Sequence, residues 1–586
     1  MSFFFFFENY NQNYKAKFGV ATSSDNGATW NIGWEQEYNL VGKYDIEERI
    51  ATSDMGKENV LFCIFFDGTS YNFTEFCFDN IKIKAQSNSE IRLNTIDIYE
   101  RIGSGPLDVK FSVQNMGNYN IQSFEASYEL DGYETVTETF TTSIPAFGTE
   151  TFTFSDRKNI LPGSYNIKIN ILSVNGGEDN LDDNTLTNEF NASLAEKQRI
   201  PMIEHFSSST CAPCVLINQL MHKMTEDNPG KYTYTKYVLN FPGVGDPYYT
   251  KEGGIRHDFY QVSSVPRCFL DAEFQLSGNT PQPVTKTKLL NRYEVPAFAE
   301  IRGAFNIEGN TINITADFMA YAQMDNIRAF VVVNEKETTG NVGSNGETSF
   351  NHVMMKMLDG ANGNNININP GEHQRLEFSF DMSSTNVEEM NDLEVALWLQ
   401  NLGNKEVYNS KYAYEYASHC YPVENLRETT SGKGTRTFAW DAPAQSTPTG
   451  YKVYVDGSLV EGNTTATSIS YETSKQLLMI EVIALYEGGK SSVSVVKKFD
   501  GNGVNVMENE TASNLNIYPN PVKDVVRVSG EDINSISVYN SLGVLVEKIE
   551  VSSNNAEINM NDYNTGIYFI QVESNENVVS RKVVKL

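Results

Sequence analysis

The sequence predicts a multidomain protein that is mostly β, with one α/β domain inserted among the β-domains. The length of 586 residues is several times that of a typical domain of roughly 100–150 residues, so about four or five domains are expected. Short alternating strands bounded by Asn, Gly and Asp recur along the chain, as in residues 310–322 (NTINITADFMAYA) and 535–551. One segment differs, because the apolar strand at 199–206 is followed by a turn and then by apolar residues at helical spacing.

The charge and composition of the chain limit which classes of binding partner are expected. The chain holds 75 Asp and Glu against 45 Lys and Arg, which gives a net charge of -30. A field of this sign repels phosphate backbones and anionic lipid, so nucleic acid is excluded as the expected partner. No run of about 18 apolar residues occurs, so no membrane-spanning helix is predicted.

Residues 1–85 form the first predicted domain. The run MSFFFFF lacks a basic segment and a small-residue cleavage site, so it predicts a strand rather than a signal peptide, and we expect that the beginning of this domain precedes Met1. The stretch SSDNGATW (23–30) matches an Asp-box hairpin, and together with FTEFCFDNIKIKA it resembles the second half of a MAM-like, choice-of-anchor jelly roll. Cys63 and Cys77 flank a turn, which leaves two alternatives: a cross-strand disulfide or two unpaired thiols.

Three further segments are predicted as β-sandwiches. Residues 86–195, which include LDVKFSVQNMGNYNIQSFEASYELDG, resemble bacterial Ig-like modules, and residues 298–418 are similar to an Ig-like β-domain. Residues 419–499 resemble a fibronectin type III domain, with Trp440 as its core residue. The polar stretch 500–513 is expected to be a linker.

Cys211 and Cys214 carry the main chemical signal of the sequence. In SSTCAPCVLIN they are separated by two residues, and they could be a redox pair, two metal ligands or an inert cross-link. A helix N-terminus offers free amides and partial positive charge, which would lower the pKa of Cys211 and place Cys214 as the resolving thiol one turn later. Zinc is disfavoured because a single CxxC leaves a tetrahedral site two ligands short, so neither a metal nor a cofactor is expected.

A strand, a turn and a CxxC at a helix N-terminus are the arrangement of thioredoxin-like proteins, which residues 196–297 resemble. The resemblance implies a cis-proline beside the disulfide, at the position of Pro266 in SSVPRCFLD. His205 stands six residues before Cys211, where the family usually has an acidic side chain. It is expected either to replace that acid as a base or to be an ordinary strand histidine.

The last predicted domain, residues 514–586, begins NLNIYPNPVKDVVRVSG and ends with a strand that reaches the C-terminus. It resembles the C-terminal sorting domain of the type IX (Por) secretion system, and the matching residues are Tyr518, Pro519, Asn520, Pro521, Gly566, Tyr568 and Lys582. The resemblance implies passage through the periplasm to the outer-membrane surface or the medium. The implied partners are the secretion machinery, its sortase-like enzyme and surface lipopolysaccharide.

Two functions from different classes remain open. The first is a surface-displayed adhesion or binding protein for an unidentified extracellular ligand, with a thioredoxin-like scaffold. The second is an extracytoplasmic thiol-disulfide oxidoreductase that uses Cys211 and Cys214.

Overall fold

A computed structural model describes residues 1–10, 14–39, 41–83, 87–177, 183–277, 280–431, 434–500, 516–530, 533–540, 545–551, 553–574 and 578–586. The chain forms two compact units. The first comprises Met1–Glu100, Asp108–Arg157 and Ser164–Phe190, and the second comprises Arg101–Leu107, Lys158–Gly163 and Asn191–Leu586.

The N-terminal third of the chain consists of strands. Their bounds are β1 Ser2–Asn9, β2 Ala16–Ser23, β3 Asn31–Tyr38, β4 Gly42–Glu47, β5 Leu61–Asp67, β6 Phe73–Lys82, β7 Ile91–Ile96, β8 Arg101–Gly103, β9 Gly105–Leu107, β10 Lys110–Asn115, β11 Ile121–Leu130, β12 Val136–Ile144, β13 Thr149–Thr153, β14 Lys158–Ile160, β15 Gly163–Val174 and β16 Thr185–Ser193. The first unit contains the sheets β4-β1-β6, β3-β2-β5, β13-β10-β7 and β12-β11-β15-β16.

The phenylalanine run forms β1, the central strand of its sheet. Successive side chains of a strand point to opposite faces, and Phe3, Phe5 and Phe7 are accordingly buried in one core while the alternate residues are less buried. The Asp-box turn that follows β2 is closed by its own side chains: the Gly27 amide donates to Ser23 Oγ, and the Thr29 amide donates to Asp25 Oδ1.

Of the two alternatives for Cys63 and Cys77, the cross-strand disulfide is not formed, and both cysteines are free thiols. Cys63 lies in β5, which pairs with β2, whereas Cys77 lies in β6, which pairs with β1 in another sheet. The turn between them therefore carries the chain from one sheet to the other instead of closing a hairpin.

The α/β segment comes next. Its elements are β17 Met202–Ser207, α1 Cys214–Glu226, β18 Thr233–Val238, α2 Lys251–Tyr260, β19 Arg267–Leu270, β20 Glu273–Phe274, β21 Leu276–Ser277, β22 Thr280–Pro281 and α3 Lys286–Tyr293. β17 pairs in parallel with β18 and antiparallel with β19, which gives the order β20-β19-β17-β18. Ile217, Met221 and Met224 of α1 pack on this sheet with Ile203, since their spacing puts them on one face of the helix.

The same sheet continues into the following segment. The bounds there are β23 Ala299–Glu308, β24 Thr311–Ala320, β25 Ile327–Thr338, β26 Phe350–Met357, β27 Asn364–Asn365, β28 His373–Asp381, β29 Leu393–Asn401, β30 Val407–Tyr412 and β31 Tyr414–Glu415. β26 pairs in parallel with β18, at Val353 and Lys236, and the order runs on through β25, β29 and β30. One sheet thus crosses the domain boundary predicted at 297/298, and a second sheet, β28-β24-β23-β31, covers part of it.

The remaining residues form two small β-sandwiches. The first has β32 Glu424–Ser431, β33 Gly434–Asp441, β34 Gly450–Val455, β35 Ser458–Thr464, β36 Ser468–Thr473, β37 Leu477–Tyr486, β38 Lys490–Ser491 and β39 Val495–Asp500. The second has β40 Asn516–Tyr518, β41 Val525–Ser529, β42 Ile533–Asn540, β43 Leu545–Glu550, β44 Asn555–Asn559, β45 Gly566–Ser574 and β46 Val578–Lys585. Trp440 is buried between the sheets of the first. Nearly all of the predicted linker, from 501 onward, lies outside the described residues.

In the described ranges, no helix is long and apolar enough to cross a membrane. The strands and helices given above make the fold mostly β and multidomain, as the sequence predicts.

Candidate functional site

A disulfide joins Cys211 and Cys214 at the start of α1. The turn before the helix is held by the Cys211 amide, which donates to the Ser208 carbonyl at 3.0 Å, and by the Cys214 amide, which donates to the Cys211 carbonyl at 3.1 Å. Ala212 and Pro213 are exposed, yet Cys211 is 1% exposed and Cys214 is fully buried. The predicted pair is present, and its sulfur atoms are shielded from solvent.

Pro266 lies at the same end of the sheet as the disulfide. It immediately precedes β19, and the next residue, Arg267, pairs with Phe206 of β17. The Val265–Pro266 peptide bond is cis. Its role beside the disulfide remains a prediction.

His205 is completely buried in β17, and its Nδ1 lies 2.6 Å from the Tyr234 hydroxyl oxygen. Burial, with the nearby charge of Lys236, holds the pKa of His205 well below its ordinary value, so the imidazole is neutral. A base role would need this ring to take up a proton against that desolvation cost, and the role remains a prediction.

Two more titratable groups share this buried region. Lys236, the strand neighbour of His205, is 3% exposed, and burial lowers its pKa to about 8 while the carboxylate of Glu347 acts in the opposite direction. Burial raises the pKa of Cys268 to about 12, so this thiol stays protonated at neutral pH. Sequence reasoning missed Lys236; the available signal was a lone lysine in the otherwise uncharged strand TYTKYV.

The loop between β25 and β26, residues 339–349, lies on the turn that carries the disulfide. The Asn345 amide donates to the Ser209 carbonyl at 3.0 Å, and Asn345 Nδ2 donates to the Cys211 carbonyl at 3.3 Å. At Gly343 the approach is so close that a Cβ atom would lie 2.4 Å from the Ser209 carbonyl oxygen. Only glycine fits there without displacing the backbone.

A second polar anchor holds the same loop to helix α1. Asn218 Nδ2 lies 2.9 Å from both carboxylate oxygens of Glu347, and Asn218 in turn accepts a hydrogen bond from Ser207. Asn345 Nδ2 also donates to Glu347 at 2.6 Å, so the two anchors are linked. Sequence reasoning did not find this loop, because it lies about 130 residues away along the chain in another predicted domain.

No group of three or more His, Cys, Asp or Glu side chains is placed to hold a metal ion in the portion of the chain that the structure describes.

The C-terminal motif is held together by Asn520. Its Oδ1 accepts from the Val584 amide at 2.9 Å, and its Nδ2 donates to the Lys582 carbonyl at 2.7 Å. Gly566 opens β45, and the Tyr568 hydroxyl in that strand donates to the Asn564 carbonyl at 2.9 Å. The segment before β41 is thereby tied to the last strand of the chain.

Residues 516–586 match the family described as the secretion system C-terminal sorting domain. The tail is a C-terminal sorting domain. This domain indicates export by type IX secretion to the cell surface or the extracellular space, and therefore interaction with the secretion machinery.

Other comparisons cover less or match more weakly. Beta-agarase A of Zobellia galactanivorans is 42% identical over 59 residues, which are 10% of this chain and 11% of that enzyme. HBP35 of Porphyromonas gingivalis is 13% identical, with a TM-score of 0.30, over 66% of this chain and 98% of that chain. A two-domain fibronectin type III segment of chicken tenascin is 14% identical, with a TM-score of 0.13, over 28% of this chain and 99% of that one.

Proposed function

We propose that this chain is a surface-displayed binding protein in which residues 196–297 are a thioredoxin-like scaffold and the Cys211–Cys214 disulfide is a structural cross-link. The observation that carries the proposal is that Cys211 and Cys214 are both buried, while the loop 339–349 is hydrogen-bonded to the turn that holds them. The β-sandwiches are the parts expected to contact an extracellular ligand.

Thiol-disulfide exchange requires a thiolate to reach a sulfur atom of the disulfide. Working exchange cysteines lie in partially exposed, electropositive surroundings, whereas buried structural cysteines are inert. Cys211, the residue that would act as the exposed nucleophile, is 1% exposed, and its carbonyl accepts from the side chain of Asn345. The resting geometry therefore favours a cross-link.

The order of the strands supports the second candidate, an extracytoplasmic oxidoreductase. The order β20-β19-β17-β18, with the CxxC at the start of the helix after β17, is the arrangement expected of thioredoxin-like redox domains. The helix N-terminus would stabilise a thiolate at Cys211 once the disulfide was reduced.

The reduction potential of the pair separates the two candidates. A structural disulfide is expected below about -300 mV, and an exchange site between roughly -120 and -270 mV. In the scaffold, Cys211→Ser and Cys214→Ser both lower the melting temperature, and neither traps a partner. In an oxidoreductase, Cys214→Ser traps mixed disulfides through Cys211, whereas Cys211→Ser traps none. Rapid reduction of insulin by the wild-type protein would reject the scaffold function.

A further inference from the structure

We infer that the loop 339–349 is an opening cover, and that the Cys211–Cys214 disulfide reacts with thiols by local opening of this loop while the rest of the fold stays intact. The inference rests on the proposed function, since it takes the disulfide to be closed to solvent in the resting protein.

The ends of the loop are held in the sheet, and Asn341, which accepts a hydrogen bond from Thr338, is buried, whereas several of the residues that follow are exposed. β25 ends at Thr338 and β26 begins at Phe350, and these two residues pair and are buried. Between them, Val342, the one large apolar residue of the loop, is 51% exposed. Since the loop buries little apolar surface, its opening forfeits little of the hydrophobic stabilisation that holds the core together.

Polar contacts hold the closed position. The Asn345 backbone amide donates to the Ser209 carbonyl, and its side-chain amide donates to the Cys211 carbonyl. The Glu347 carboxylate accepts from the side-chain amide of Asn218. Asn345 and Glu347 are only half-buried, so water can replace their partners when the loop leaves. Net contributions of such hydrogen bonds are modest, and loss of one changes an opening equilibrium by about five- to tenfold.

Gly343 gives an independent way to displace the loop without deleting a hydrogen bond. A Cβ atom there would lie 2.4 Å from the carbonyl oxygen of Ser209 and 2.7 Å from its carbonyl carbon. Both are backbone atoms and cannot rotate away. Gly343→Ala therefore pushes the loop off the turn that holds the disulfide.

The reaction to be followed is reduction by dithiothreitol. Its thiolate attacks one sulfur of the disulfide, the S–S bond breaks, and the other cysteine leaves as a thiolate. The second thiol of the reagent then attacks the mixed disulfide and frees the remaining cysteine. Two electrons pass to the protein, and the reagent becomes a cyclic disulfide.

The experiment measures the rate of this reduction in the full-length protein without denaturant, by alkylation and mass spectrometry. Asn345→Ala, Glu347→Gln and Gly343→Ala are each expected to accelerate it by about five- to tenfold. Ser344→Ala is the matched loop control, since that side chain is exposed, and it is expected to leave the rate unchanged. If one variant fails to fold, Glu347→Gln, which keeps the shape of the side chain, carries the test.

A stability control separates local opening from unfolding of the whole segment. Ile314→Val weakens the buried core without touching the loop, and it should leave the reduction rate unchanged. Equal reduction rates for wild type and all three loop variants would contradict the inference. An acceleration by Ile314→Val as large as that of the loop variants would contradict it too. If the wild-type protein reduces insulin rapidly and the loop variants reduce it faster, the proposed scaffold function is wrong, whereas the inference that the loop covers the disulfide is supported.

Discussion

The Nδ1 atom of His205 lies 2.6 Å from the hydroxyl oxygen of Tyr234, and both side chains are almost completely buried. Burial raises the pKa of Tyr234 well above its ordinary value and lowers that of His205 well below its own. Both groups are thus neutral at physiological pH, so two charges that this buried site could not solvate are avoided.

The first prediction concerns stability in mild acid. Below about pH 6.5 the unfolded chain binds a proton at His205 that the folded chain does not bind until a lower pH, so the free energy of unfolding falls as pH falls. His205→Gln should reduce this slope between about pH 6.5 and 5, by up to about 1.4 kcal/mol per pH unit. The measurement is the free energy of unfolding in urea at several pH values, with hydrogen exchange in β17 as the probe. Identical pH slopes for wild type and His205→Gln would contradict the prediction.

The second prediction concerns Lys236. Its folded pKa of about 8 is below the ordinary value of 10.5, so the folded state loses this proton first and stability rises with pH between these values. Lys236→Met removes a buried charge, and it should be more stable than wild type at pH 7 with an advantage that shrinks toward pH 10. An advantage independent of pH would show that the substitution acts through packing alone.

The third prediction concerns the buried pair Glu204 and Arg256. Arg256 donates to both Glu204 oxygens and to Gln400 at 2.9 Å, and it lies over the ring of Trp398. Because Gln400 and Trp398 belong to β29, the pair ties the α/β segment to the strands after residue 298. Arg256→Met should cost about 3–5 kcal/mol, since it leaves a buried carboxylate without its partner.

The same substitution tests whether the continuous sheet unfolds as one. Hydrogen exchange of β17 and of β29 should accelerate together in Arg256→Met. The control is Lys223→Met, which removes a surface pair with Asp227 and should cost less than about 1 kcal/mol. Faster exchange in β17 alone would mean that the two halves of the sheet are independent.

The sequence predicted those features that depend on local patterns. The run of five phenylalanines, which lacks the features of a signal peptide, predicted β1, helical spacing predicted α1, and the sorting motif predicted the tail, which the family match confirms. Of the two alternatives left open for Cys63 and Cys77, the structure has the two free thiols. The sequence could not decide between them because it does not show to which sheet each strand belongs.

The contact between the loop 339–349 and the turn that holds the disulfide could not be predicted for the same reason. Gly343, Asn345 and Glu347 are typical turn and surface residues, and their role depends on the pairing of β26 with β18. Long-range pairing of that kind sets which loop lies over which turn, and no local periodicity encodes it.

The last prediction concerns export. Deleting residues 514–586 should leave the remaining domains folded and the protein in the periplasm, since the sorting domain provides the signal for type IX secretion. Asn520→Ala is a sharper change, because it removes only the two side-chain hydrogen bonds to the backbone of Val584 and Lys582 in the last strand. Loss of two hydrogen bonds should destabilise this small domain by about 1–3 kcal/mol, enough to reduce export if the machinery reads the folded tail. Asn561→Ala, an exposed position in the same domain, is the matched control.

Fractionation with surface labelling measures export of both kinds of variant. Truncated protein at the surface would reject the tail as the export signal. Normal export of an unstable Asn520→Ala tail would show that the machinery reads the sequence and not the fold.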